Sequence, residues 1–166
     1  MNPMPDAPYA TAHVLRLLAS HLELTGRPLL ERGPAETDED LARRLYTAPF
    51  VVLAHGTEPD PLFNYANLAA QRLFERTWEE FIGLPSRLSA EAPQRSERER
   101  LLARVSTQGF IDDYSGIRLA KSGHRFRILR ATVWNVSDAG GHPLGQAASF
   151  SEWESLQTRP DDDFSL

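Results

Sequence analysis

Apolar positions change their period repeatedly along the chain, and each change predicts an element. From Ala10 to Leu24 the spacing is helical: Val14, Leu15, Leu17, Leu18, Leu22 and Leu24 form one broad apolar face. RPLLERGPAETDED breaks that pattern, and Thr37 or Asp38 then caps a second helix carrying Leu41, Leu45 and Tyr46. FVVLAHG, from Phe50, is β-branched and apolar, the composition of a buried strand. TEPDP is turn chemistry, and Leu62, Phe63 and Tyr65 return as a second strand, so the pair reads as a hairpin.

In PLFNYANLAAQRLFE, residues 61–75, the aromatic strand gives way to Ala70, Leu73 and Phe74 at helical spacing. A residue at that junction must end the ladder and satisfy free helix N–H groups. Asn67 does so if its side-chain oxygen accepts from the N2 or N3 amide, a cap whose loss costs about 1 kcal/mol. Asn64 either closes a turn or directs a polar group inward. Thr77-Trp78-Glu79-Glu80 is a capping box for a short helix ended by Gly83, and LPSRLSAEAP reads as a loop. Ser96-Glu97-Arg98-Glu99 is a second box, opening a helix with Leu101, Leu102 and Val105 that Gly109 stops.

Beyond Gly109 the period becomes two. Ile117 and Leu119 alternate with Arg118 and Ala120, and KSGH turns the chain. Phe126, Ile128, Thr132, Trp134 and Val136 share one parity, with Arg130 the polar member among them. SDAGGHP turns again, and LGQAASFSEW is the last strand, with Gln146 on the side of Leu144 and Phe150. This order predicts an α+β fold: a five-stranded antiparallel sheet with helices on one face, preceded by N-terminal helices. The expected divisions are a helical extension over 1–48, the main domain over 49–156 and a frayed acidic tail over 157–166. The N-terminal helices either pack over the core of their own chain or join two chains.

Composition narrows the chemistry. A net charge of −5 in 166 residues argues against nucleic acid or an anionic membrane as partner. The absence of cysteine removes disulfides, thiolate metal sites, cysteine nucleophiles and thiol-linked chromophores together. MNPMPDAPYA lacks early basic residues and no long apolar run follows, so neither a signal peptide nor a transmembrane span is expected and the chain reads as cytoplasmic.

The element order around a strand-to-helix Asn, as in Asn67-Leu68-Ala69-Ala70, resembles the PAS fold, as do WEEFIG at 78–83 and the Asp-Gly turn in VSDAGGHPLGQ. AHGTEPDPLFNYANLAAQRLFE, TWEEFIGLPSRLSAE, GFIDDYSGIRLAKSGHRFRI and VWNVSDAGGHPLGQAASF are similar, more narrowly, to the PAS-related MEKHLA family over about residues 45–155. That family occurs as small bacterial proteins and as a C-terminal domain of plant homeodomain–leucine zipper regulators. The resemblance implies sensing or regulation by a PAS-like module, with no generally established ligand. Since no enzyme signature stands out, the expectation is a non-catalytic signal-transduction module that binds a small molecule or a protein partner, the alternative being a pure interaction domain that forms a homodimer. Of the PAS cofactor chemistries, the flavin adduct needs a cysteine, which is lacking. The haem version commonly uses a histidine on the long helix, and residues 96–108 hold none. Noncovalent flavin or haem stays open.

Candidate ligand-binding residues are Asn64, Arg118, Arg130, Trp134 and Gln146. Arg130 on an apolar face would need a partner. Either it and its polar neighbours grip a polar or anionic ligand, or Arg130 pairs with Asp112 or Asp113, or it snorkels at the sheet edge. Trp78, Trp134 and Trp153, with Phe63, Phe126 and Phe150, are core or dimer-surface aromatics, a stacking platform being the alternative. Arg125, Arg127 and Arg130 stand on two faces of one strand amid excess acid, a poor RNA strip. His55 reads as a strand-end histidine bonded to backbone; with Glu58 and Asp60 it sketches an acid–base site, but no nucleophile, metal motif or phosphate loop completes one. His124 and His142 fall in turns, and His13 and His21 are too far apart for a tight metal pair.

Overall fold

The computed structural model describes residues 10–91 and 95–156; the expected proline-rich lead-in and acidic tail lie outside them. Helix α1 spans Thr11–Thr25 and ends on Gly26, whose left-handed φ of 78° lets its N–H reach Leu22 O. Helix α2, Asp38–Tyr46, is opened by Thr37, which with Asp40 forms a reciprocal capping box. Helix α3, Leu68–Phe74, is capped by Asn67, and helix α4, Trp78–Phe81, by the Thr77–Glu80 box. A 3₁₀ turn, Ser86–Ser89, lies inside the segment expected to be loop. Helix α5, Arg95–Gln108, corrects one expectation: it is already formed at Arg95, so Ser96 sits within it and does not cap it. Within its first turn, the Glu97 carboxylate accepts from the Tyr114 hydroxyl at 3.1 Å.

The strands are β1 (Val51–His55), β2 (Phe63–Ala66), β3 (Phe110–Leu119), β4 (Arg125–Ser137), β5 (Pro143–Phe150) and β6 (Glu152–Ser155). They form one antiparallel sheet in the order β2-β1-β5-β4-β3. The stretch LGQAASFSEW is two strands: the ladder breaks at Ser151, and β6 pairs with the first half of β4, Leu129 opposite Glu152.

The shared parity expected from Phe126 to Val136 does not hold. Gly116 faces Ile128 and Tyr114 faces Ala131, so two steps on β3 answer three on β4. The extra residue is accommodated by Arg130, at a left-handed φ of 51°. This bulge reverses the alternation. Phe126 and Ile128 therefore share the α3–α5 core with Ala131 and Val133, whereas Trp134 and Val136 turn to the opposite layer. Arg130 itself is exposed and donates to Glu152, not to Asp112 or Asp113 and not from within an apolar face. A bulge at Asn64 likewise sends Phe63 and Tyr65 to opposite layers, and one at Leu144 places that leucine away from Gln146.

The second layer is built by α1 and α2. Val14, Leu17, Ala42 and Leu45 pack on Val52, Ala54, Tyr65, Trp134, Val136 and Ala147. The Trp134 indole N–H donates to Leu17 O at 3.1 Å, pinning α1 to the sheet of its own chain. Both faces of β1 are thus covered, which explains why FVVLAHG is apolar without alternation. Asn67 fastens the two layers together. Its Oδ1 accepts from Ala70 N (3.1 Å) and Val52 N (3.0 Å), and its Nδ2 donates to Leu45 O (3.1 Å) and Phe50 O (2.9 Å).

Candidate functional site

Beneath α5 the sheet leaves a cavity of about 60 Å³. Apolar side chains make most of its wall, among them Leu53, Phe63, Phe74, Leu101, Ile128 and Phe150. The polar side chains that line it come from five elements: His55 from β1, Ser86 and Ser89 from the 3₁₀ turn, Arg98 from α5, Tyr114 and Arg118 from β3, and Gln146 from β5.

Both arginines are buried, Arg98 6% and Arg118 7% exposed. Arg98 donates to Ser86 Oγ. Arg118 donates to Ile117 O at 2.8 Å, and its guanidinium carbon lies 5.6 Å from the Tyr114 ring centre. Among the described residues no carboxylate lies within 4.0 Å of either guanidinium, whereas Arg125, Arg127 and Arg130 pair with Glu91, Glu154 and Glu152. Burial, and next the like charge of Arg118, lower the Arg98 pKa to about 10, which keeps it protonated at neutral pH. Burial also raises the Tyr114 hydroxyl's pKa, so this residue stays neutral.

Two glycines make this geometry feasible. A Cβ on Gly116 would fall 2.0 Å from the Tyr114 hydroxyl, so the ring fits only over a bare backbone. A Cβ on Gly145 would fall 1.8 Å from His55 O, and its φ of 145° is in the region side chains avoid. Gly145 thus lets β5 close on the end of β1 and sets His55 beside Gln146. Gln146 Nε2 lies 3.1 Å from each of Leu102 O, Ser106 Oγ and Asn135 Oδ1 and shares its two hydrogens among them, tying β5 to α5 and β4. His55 Nδ1 lies 3.0 Å from Gly56 O, an acceptor only, so this nitrogen carries the proton. Burial first, and the Arg98 charge further, hold the ring's pKa below the ordinary histidine value against the opposing pull of the Gly56 bond and Glu58. An outer cleft of about 630 Å³ shares His55, Leu102 and Gln146 with the cavity, so these three side chains separate it from solvent.

Of the residues singled out from sequence, Arg118 and Gln146 meet in this cavity. Asn64, Arg130 and Trp134 do not line it. Asn64 occupies its bulge, with Oδ1 buried and unpaired. Trp134 stands edge-on to His21 at 4.8 Å in the other layer. Glu58 and Asp60 form no relay with His55: Leu62 N donates to Glu58 Oε1 at 3.1 Å, and Arg87 Nε donates to Asp60 at 3.2 Å. Sequence reasoning missed Arg98, although a signal was present. It stands three, four and seven residues before Leu101, Leu102 and Val105, on the apolar face of its helix.

Among the described residues no group of three His, Cys, Asp or Glu side chains could hold a metal ion, and no helix is long and apolar enough to cross a membrane. No curated protein matches the chain. Among solved structures, the PAS domain of a Colwellia psychrerythraea protein is similar with a TM-score of 0.60 and 14% identity, over 73% of this chain and 98% of that one. An RNA-binding Light-Oxygen-Voltage receptor gives 0.56 at 17% identity over 79% of this chain, which spans 36% of the receptor. The light-state dimer of the fungal blue-light photoreceptor Vivid gives 0.54 at 15%, covering 85% and 92%. At such identities these likenesses show the fold alone, and that fold is PAS-like. The model of the MEKHLA domain matches residues 11–155, taking in α1 as well as the sheet, and the chain belongs to the MEKHLA domain family.

Proposed function

We propose that this chain is a non-catalytic PAS-like sensory module whose interior cavity binds a small anion through Arg98 and Arg118. The observation that carries the reading is a pair of buried guanidiniums lining one cavity, with no carboxylate among the described residues within 4.0 Å of either. A structural arginine is normally paired when buried. Burial and the neighbouring Arg118 charge hold the Arg98 pKa down to about 10, a cost of keeping the charge that an anionic ligand would relieve.

Cavity size supports a small ligand. One water needs about 10–15 Å³ of such space, so 60 Å³ takes about five atoms of that size. Pockets for ligands as large as flavin or haem run to several hundred Å³, about 300–1,000, so the size of this cavity supports a much smaller occupant. Filling the cavity would favour one packing of α5 against β3 and β5, the elements that carry Arg98, Arg118 and Gln146.

The test is calorimetry and thermal unfolding with acetate, propionate and inorganic phosphate, on the wild type and on Arg98→Met. Saturable stabilisation by one of these anions, lost in the variant, supports the reading. No anion effect, or an equal one in both proteins, refutes it.

The outer face of α1 supports a protein contact as a second part of the reading. Leu22, 47% exposed, lines a groove with Leu15, Leu18, Leu29 and Leu30. A second copy of the chain, meeting face to face, is the occupant we assign. Sedimentation equilibrium of the wild type and Leu22→Glu tests it: a dimer made monomeric supports the contact, and a wild-type monomer at high concentration removes it.

A further inference from the structure

Resting on that anion-binding reading, we infer that the ligand is a small hydroxy acid, its carboxylate held by Arg98 and Arg118 and its hydroxyl donating to His55 Nε2. With the Nδ1 proton engaged by Gly56 O, Nε2 presents a lone pair and no hydrogen. That nitrogen is fully buried, has no partner among the described residues and belongs to a side chain lining the cavity. Buried acceptors left empty are rare, so a donor is what the site lacks.

The wall decides what kind of donor fits. An ammonium group would sit among the guanidiniums of Arg98 and Arg118, so a zwitterionic amino acid is disfavoured and a neutral hydroxyl is not. Leu53, Phe74, Leu101 and Ile128 surround the remaining space, which suits a short carbon chain better than an inorganic oxyanion. The histidine is neutral at pH 7 because burial and Arg98 oppose its protonation. The ligand thus meets one anion-binding end, one acceptor and an apolar floor.

Binding of matched pairs to the full chain separates the claims: lactate against propionate, and glycolate against acetate, with inorganic phosphate as a further arm. In the wild type the hydroxy acid of at least one pair is expected to bind about tenfold tighter, the value of one well-made hydrogen bond. His55→Leu is expected to bring the two members together while Arg98→Met abolishes both. Equal affinities within both wild-type pairs, with binding still lost in Arg98→Met, overturn the hydroxyl inference and leave the anion reading standing. Binding of neither member, or binding indifferent to Arg98→Met, takes both down. Phosphate binding tighter than every organic acid overturns the carbon-chain ligand. Should His55→Leu fail to fold, the wild-type pairs and the His55 Nε2 nitrogen shift decide: hydroxy acid, but not its partner, must move that resonance.

Discussion

Asn67→Ala tests whether this carboxamide is a helix cap or the tie between two layers. As a cap alone its loss costs about 1 kcal/mol. In the structure it is 0% exposed and makes four hydrogen bonds, to Val52 N, Ala70 N, Leu45 O and Phe50 O. Each buried group left without a partner costs about 1–3 kcal/mol. Leu45 O keeps a bond from Ala48 N, so the four do not count equally. The expected loss is about 4 kcal/mol, a large share of the roughly 5–15 kcal/mol that holds a domain together. Urea denaturation followed by far-UV circular dichroism measures it. Asn67→Asp sharpens the assay, because Asp caps an isolated helix as well as Asn. Here the introduced carboxylate would face two carbonyl oxygens, so its folded pKa must rise above the unfolded value of about 3.9. A raised folded pKa means the extra penalty is absent below the unfolded value and grows as pH climbs to the folded one. Asn67→Asp should therefore lie at least about 1 kcal/mol nearer the wild type at pH 4.5 than at pH 7.5. Losses near 1 kcal/mol for Asn67→Ala, with Asn67→Asp indistinguishable from wild type, would refute the tie.

Other perturbations probe the remaining claims. Arg130→Gly keeps the left-handed bulge and loses only an exposed ion pair, so its stability should stay within about 1 kcal/mol. Deleting residue 130 should abolish folding, since Trp134 and Val136 would exchange layers with their neighbours; a stable deletion variant contradicts the bulge. Arg98→Met should raise the melting temperature of the ligand-free protein, because it removes a buried charge with no carboxylate among the described residues within 4.0 Å; a lower one would mean that Arg98 is structural. Trp134→Phe strips the donor from Leu17 O and should cost about 1–3 kcal/mol, with faster amide exchange concentrated in α1. Burial lowers the pKa of His13, His21 and His55, so the unfolded chain takes up protons first as pH falls below 6.5. Stability from these groups is full above 6.5 and is lost on acidification, which denaturation at pH 7.5 and 5.5 detects before the carboxylates titrate.

Local chemistry was legible in the sequence. Thr37, Asn67 and Thr77 cap helices because a side-chain oxygen two or three residues from a free N–H is a short-range matter. The bulge at Arg130 was not legible: a single left-handed residue reverses the alternation, and no glycine marks the spot. Trp134 was read on the wrong face for that reason. Packing of α1 and α2 on the core of their own chain was one of two open readings, but that they cover the sheet face opposite α3 and α5 was not legible, because an unbroken apolar strand does not say what covers each side. Arg118 and Gln146 were found as polar positions on strands, whereas Arg98 was read as part of a helix start, SERE, and its register with Leu101 and Val105 went unused.

The bulge also divides β4 between two partners, β5 along its second half and β6 along its first. All four residues of β6 are exposed, so it is held chiefly by its ladder and the Glu152 and Glu154 pairs. It can peel away without unzipping β5. The vacated margin would be a short template of open backbone groups, which makes strand exchange between copies a liability concentrated at this one seam.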